Sequence, residues 1–144
     1  MAFAASVLAT PGAPSSSSGC SSSAAALHFA CLALATYQCD VALVGGSSII
    51  FPQRQGHVYR EGGVYSQDGH CRPFSADATG TIGGSGVGVV VLRRLDEAVR
   101  DNHSIYCAIA GSACGNDGRR KVGYAAPSVE GQVETIRLAL ATAQ

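Results

Sequence analysis

The sequence predicts a layered α/β domain, and two patterns carry that expectation. Short, strongly apolar runs at 40–44, 86–92 and 105–111 read as strands, the middle one almost all valine. Stretches at 21–36, at 95–100 and from Ser128 onward carry apolar residues at helical spacing. Strands alternating with helices bury their apolar faces most simply as stacked layers. Hydrophobic residues make up 47% of the chain and charged residues 14%, so much of the surface is expected to face protein rather than water.

The elements follow in order. Residues 1–19 are rich in Ala, Ser and Pro and end in Ser15-Ser16-Ser17-Ser18, with no charged side chain before Asp40. Such a composition cannot bury enough apolar area to order itself and reads as a disordered leader. It lacks the basic start of a secretory signal and the arginines of a transit peptide, so a cytoplasmic protein is expected. Its Ser content and low acidity keep organelle targeting as the alternative.

In 21–36, Leu27, Ala30, Cys31 and Leu34 share one helical face. The run at 40–44 is expected to stop at Gly45-Gly46 as a buried strand. Residues 47–80, rich in Gly, Pro, Tyr, Arg and His, read as a long ordered excursion with turns at Gly62-Gly63 and Asp68-Gly69, suited to an interface. Asp68, Arg72 and Asp77 are expected to hold it through turns and ion pairs.

The valine run 86–92 has the composition of a strand buried on both faces. A short helix at 95–100 ends at Asn102, with Arg93-Arg94 and Asp96-Glu97 as a solvated face around it. Residues 105–111 read as a further buried strand, closed by Gly115-Asn116-Asp117-Gly118. Ser128 then caps a helix carrying Val129, Val133, Ile136 and Leu140 on one face.

Several function classes are excluded. The chain has 10 basic and 10 acidic residues and no basic patch interleaved with aromatics, so no nucleic-acid partner is expected. Apolar stretches break well before the roughly 20 residues of a membrane span. The six cysteines, Cys20, Cys31, Cys39, Cys71, Cys107 and Cys114, form no CxxC pair and fit no zinc template. Most lie in apolar runs, as reduced thiols do. The string Gly80-Thr81-Ile82-Gly83-Gly84-Ser85-Gly86 lacks the Gly-Lys-Ser/Thr of a phosphate loop and leads into a strand, so no cofactor or metal site is expected there.

Cys20 is the candidate nucleophile. It sits at the start of an apolar helix, where unpaired backbone N–H groups and the positive end of the helix dipole favour a thiolate. Those amides can also stabilise the oxyanion formed when a thiolate attacks a thioester. Gly19 and Ser21-Ser22-Ser23 allow a sharp turn and leave space for an acyl chain. The competing possibility is a helix-start cysteine with no chemistry.

Gly19-Cys20-Ser21-Ser22-Ser23 with the following Ala24-Ala25-Ala26-Leu27-His28-Phe29-Ala30-Cys31 resembles the active-site segment of β-ketoacyl synthases. Cys39-Asp40-Val41-Ala42-Leu43-Val44-Gly45-Gly46 is similar to the strand that follows it in that family. Similar blocks recur in the family's order at Ser66 to Ala78, at Gly86 to Ala98, at Ile109-Ala110-Gly111-Ser112-Ala113, at Asn116-Asp117-Gly118 and at Ala125-Ala126-Pro127-Ser128. The wording is most similar to modular type I polyketide synthases.

The resemblance implies a thiolase-like layered αβαβα fold. Residues 20–144 would be its central part, from the end of the N-terminal half into the start of the C-terminal half. It also implies a homodimer and an acyl carrier protein partner, whose phosphopantetheine thioesters are substrates rather than bound cofactors. Cys20 would accept the acyl group and supply one oxyanion-hole amide. A decarboxylated malonyl-type extender would then attack it in a Claisen condensation of polyketide or fatty-acid synthesis. The family's two catalytic histidine motifs have no counterpart here: His28, His57, His70 and His103 match neither, and Gly19 replaces the usual Ala. A non-catalytic ketosynthase remnant or assembly piece is therefore the alternative.

Overall fold

The computed structural model describes residues 2–8, 15–16, 19–52, 56–121 and 126–143. Helix α1, Ser22–Ala35, follows a 3-10 turn at Gly19–Ser21. It lies against a four-stranded antiparallel sheet of order β2-β1-β3-β4, made of Ser15–Ser16, Ala2–Leu8, Val41–Ile49 and Gly86–Arg93 respectively. Helix α2, Leu95–Arg100, a second 3-10 turn at Gly118–Arg120 and helix α3, Val129–Ala141, complete the regular elements among the described residues.

Alanine makes the close contact of α1 with the sheet possible. Ala26, Ala30 and Leu34 of the helix pack on Ala42 and Val44 of β3, with Leu27, Cys39 and Leu92 at the margin. Small side chains let the two backbones approach, and this cluster is the core of the described residues. Of the expected apolar face, Ala30 and Leu34 are buried while Leu27 and Cys31 are half-buried.

The helices α1 and α2 close alike. At the C-terminus of α1, Tyr37 takes a left-handed conformation (φ 55). The Gln38 N–H then bonds back to the Ala33 carbonyl and the Tyr37 N–H to that of Leu34, a Schellman close that satisfies two terminal carbonyls. Helix α2 ends the same way: Asn102 has φ 54, and the His103 and Asn102 amides reach Ala98 and Val99. The expected stop at Asn102 is thus a left-handed turn. For α3, the Ser128 hydroxyl accepts from the Gly131 N–H at 3.2 Å, as its capping role requires.

Three expectations are corrected. Strand β3 does not stop at Gly45-Gly46 but runs on to Ile49, because both glycines have ladder partners on either side, in β1 and in β4. The valine strand β4 is not buried on both faces: Val87 and Val91 are 75% and 66% exposed, since β4 is an edge strand with no described element over that face. Residues 105–111 form no strand; an apolar run without a ladder partner cannot become one, and Tyr106 stands fully exposed. Strands β1 and β2 fall within 1–19, where β1 supplies the hydrogen-bonding partner that β3 needs on that side. Residues 9–14 and 17–18 of that leader, 53–55 of the excursion and Ala125 lie outside the described residues.

The excursion is tied at its neck. Ser66 donates its amide to the Thr81 carbonyl, and Thr81 returns its own to Val64. Inside, the wholly buried Ser66 hydroxyl donates to Asp68 at 2.7 Å and meets Thr79 at 3.0 Å. Asp68 also pairs with Arg72 at 2.8 Å. The expected ion pair thus exists for Asp68 and Arg72, whereas Asp77 takes part through its backbone N–H, which donates to the Ser75 hydroxyl at 3.2 Å.

Further on, residues 111–117 lie along α3. A side chain at Gly111 would run into the Ala139 carbonyl, one at Gly115 into Thr135, and one at Gly131 into Asp117. Positions 131, 135 and 139 are one helix stripe, so an extended strip of backbone seats itself on that stripe. Asp117 fastens the end by accepting from the Ser128 N–H at 3.0 Å.

Candidate active site

Cys20 sits in the middle of the 3-10 turn that leads into α1, with its side chain exposed. Gly19 has φ 67, a left-handed conformation that glycine adopts without strain; that is a physical reason for the glycine there. The Ser22 hydroxyl donates back to the Gly19 carbonyl at 2.7 Å and closes the turn around the thiol. The turn therefore presents Cys20 at the N-terminal end of a 14-residue helix, where the helix dipole favours an anion.

A cavity of about 380 Å³ opens beside the thiol. Its walls are the turn and first residues of α1 (Cys20, Ser22 and Ser23), the end of β3 at Gly46, Ser47 and Ser48, and Gly86 and Gly88 of β4. Every lining residue is Gly, Ser or Cys, so the space is narrow-walled and uncharged. Helix and strand meet closely here: a Cβ at Gly46 would stand 2.9 Å from Ser23 Cβ. A larger hollow of about 630 Å³ lies along α3, between Arg120 and Ala141, and shares no residue with Cys20's surroundings.

None of the four histidines lines the cavity. His28 Nδ1 is 2.9 Å from the Ser112 hydroxyl, which ties α1 to residues 111–117. His57 Nε2 contacts the Ser66 carbonyl at 2.8 Å, His70 Nδ1 the Asp68 carbonyl at 2.9 Å, and His103 sets its ring nitrogens against Arg93. Among the other thiols, Cys31 is half-buried, and burial pushes its pKa up while the Ser112 hydroxyl opposes that shift. No group of three or more metal-ligating side chains occurs among the described residues.

Sequence reasoning missed Arg94. Read as part of a solvated face, it is instead nine-tenths buried. Its guanidinium donates to the Leu34 carbonyl at 2.9 Å, to the Cys39 carbonyl at 2.8 Å and to Glu97 at 2.8 Å. It also pairs with Asp40 and lies 4.3 Å over the Tyr37 ring. The planar fork thus holds the C-terminal end of the helix whose other end carries Cys20. The partners lie 60 and 55 residues away in sequence, so no local pattern could have shown them.

Comparison with known proteins places this geometry. Residues 11–98 match the model of the β-ketoacyl synthase N-terminal domain. A phenolphthiocerol/phthiocerol polyketide synthase of Mycobacterium tuberculosis is 50% identical over 117 residues, which are 81% of this chain and 8% of that protein. Polyketide synthase PksN of Bacillus subtilis is 41% identical over 125 residues, 87% of this chain and 2% of its own length. Among solved structures, ketosynthase twelve from the bacillaene polyketide synthase of Bacillus amyloliquefaciens superposes with a TM-score of 0.81 at 38% identity. That match covers 90% of this chain and 24% of the ketosynthase. The layers described above are accordingly part of a thiolase-like α/β fold, as the sequence blocks implied. The chain spans a small share of each relative's length.

Proposed function

The chain belongs to the β-ketoacyl synthase family, and from that premise we propose that it is the part of a polyketide ketosynthase domain bearing the acyl-accepting thiol, Cys20. The observation that carries this is the coincidence of the family's cysteine-helix segment with an exposed thiol at a helix N-terminus beside an uncharged cavity. In the proposed step, the Cys20 thiolate attacks the carbonyl carbon of a thioester presented on the phosphopantetheine arm of an acyl carrier protein. The backbone N–H of Cys20 is one donor to the oxyanion. The carrier thiol leaves, and the acyl group stays on Sγ. The decarboxylative condensation that follows needs donors on the extender's thioester carbonyl. The described residues place no imidazole at the cavity to give them.

The same premise supports a homodimeric ketosynthase working in the cytoplasm with acyl carrier protein. Among the described residues no helix is long and apolar enough to cross a membrane. Incubating residues 1–144 with an acyl-carrier thioester, then mapping peptides by mass spectrometry, tests the assignment. Acyl transfer to Cys20 that disappears in Cys20→Ala, with no β-ketoacyl product on adding malonyl carrier protein, is the expected result. Acylation that survives in Cys20→Ala overturns it. No acylation at all favours the remnant or assembly reading.

A further inference from the structure

Two groups of one peptide bond meet different neighbours at the start of α1. The Gly19 carbonyl and the Cys20 N–H belong to the same peptide, and a planar trans peptide points the two in opposite directions. Whatever fixes that carbonyl therefore fixes the direction of the amide beside the thiol. The Ser22 hydroxyl does so, donating to the Gly19 oxygen at 2.7 Å. Ser22 itself is buried, only 2% exposed.

Helix capping does not account for this bond. The first turn of a helix is short of acceptors for its N–H groups, not of donors for its carbonyls. Serines at a helix start usually accept from those amides. Here Ser21, at the N-cap, makes no such side-chain bond, and Ser22 turns its hydroxyl back to a carbonyl instead. Back-bonding of this kind tends to destabilise a helix slightly, so fold stability alone does not select it. What needs restraint is the peptide itself, because glycine constrains the peptide that follows it less than any other residue does.

We propose that Ser22 is a positioning residue for acyl transfer, pinning the Gly19–Cys20 peptide so that the Cys20 N–H already faces out of the helix start when the oxyanion forms. This rests on Cys20 being the acyl-accepting thiol. As Cys20 Sγ bonds to the carbonyl carbon of a thioester, the carbonyl π pair moves onto oxygen, and the pinned N–H meets that charge without first turning. The pair then returns, the donor's carbon–sulfur bond breaks, and the departing thiolate takes up the proton that Cys20 gave up. Iodoacetamide reacts with the same thiol differently. It loses iodide from a saturated carbon and builds no oxyanion, so Ser22 has no part in that reaction.

The test uses the 144-residue chain with the N-acetylcysteamine thioester of acetate and, separately, with iodoacetamide, each followed at Cys20 by peptide mapping. Ser22→Ala is expected to slow acetyl transfer about tenfold or more while alkylation keeps its original rate. Ser22→Thr keeps the hydroxyl and is expected to restore most of the transfer. Far-UV circular dichroism checks folding. If the alanine variant unfolds, Ser22→Cys, a weaker donor of similar size, takes its place with a smaller fall expected. The positioning role is overturned if the hydroxyl-free variant transfers acetyl as fast as the original chain, or if folded Ser22→Thr behaves as alanine does. It is also overturned if acetylation and alkylation slow equally, which is what a merely loosened helix start gives. Absence of acetyl from Cys20 in the original chain defeats the Cys20 assignment itself, and the positioning role with it.

Discussion

Gly46 lies under Ser23 so closely that one added methyl group would stand 2.9 Å from the Ser23 Cβ. The strand end and the start of the cysteine-bearing helix are therefore in backbone-to-side-chain contact, and the position of Cys20 depends on what β3 leaves bare.

Gly46→Ala consequently pushes the helix start off the sheet. Overpacking of this kind costs about 1–3 kcal/mol. Urea unfolding followed by circular dichroism should show a lower midpoint with an unchanged slope, and alkylation of Cys20 should change rate in the folded state. A midpoint equal to that of the original chain would show that the contact relaxes without cost.

Arg94→Lys should lower the unfolding midpoint more than Arg100→Lys does, although both keep the charge. Arg94 serves two carbonyls, Glu97 and Asp40 with one planar group, which a single ammonium cannot reproduce. Arg100 contacts only Asp101 at 3.1 Å, with two-thirds of its side chain exposed. Equal midpoints for the two variants would reduce the Arg94 contacts to surface ion pairs.

Cys31 should lag Cys20 in iodoacetamide labelling, most of all near neutral pH. Burial raises the Cys31 pKa, so at a given pH less of it is thiolate than for an ordinary thiol. The gap should narrow as pH rises from about 7 to about 9.5. For stability, a raised folded pKa stabilises the fold below the unfolded value, and that stabilisation is lost as pH climbs through the folded one. Ser112→Ala removes the one contact that lowers this pKa and should slow Cys31 further. Labelling of Cys31 ahead of Cys20 at neutral pH would contradict both assignments.

Asp68 should keep the 64–81 loop closed into acid. The Ser66 hydroxyl, Arg72 and the His70 amide hold its carboxyl well below the usual range. A depressed folded pKa contributes stability above the ordinary aspartate value of 3.8. That stability is lost only as pH falls from there through the folded value. Hydrogen exchange at the Ser66 and Thr81 amides should stay slow at about pH 4, near that ordinary value, and quicken in Asp68→Ala. Equal exchange in the two chains would mean the neck hydrogen bonds suffice alone.

The parts legible in the sequence were those set by local chemistry. Helical spacing located α1, α2 and α3, Ser128 announced its cap, and Gly19-Cys20-Ser21-Ser22-Ser23 announced the turn that now presents the thiol. What the sequence hid depends on neighbours distant along the chain. Gly45-Gly46 has the composition of a turn but becomes strand because β1 and β4 offer partners. The run 105–111 has strand composition and finds no partner among the described residues. Arg94 looks like any surface arginine until the end of α1 arrives beside it.

The strip of backbone seated on α3 makes length, more than composition, the quantity under constraint between Gly111 and Asp117. Its contacts with Ala139, Thr135 and Gly131 fall one helical turn apart. A deletion of one residue there would slide Cys114 or Asn116 into the place of Gly115, where there is no room for a Cβ. It would also pull Asp117 away from the Ser128 amide. Substitutions between the two glycines can be absorbed one side chain at a time, whereas a change of length cannot. Homologous chains should therefore keep Gly111, Gly115 and Asp117 at this spacing and vary between them.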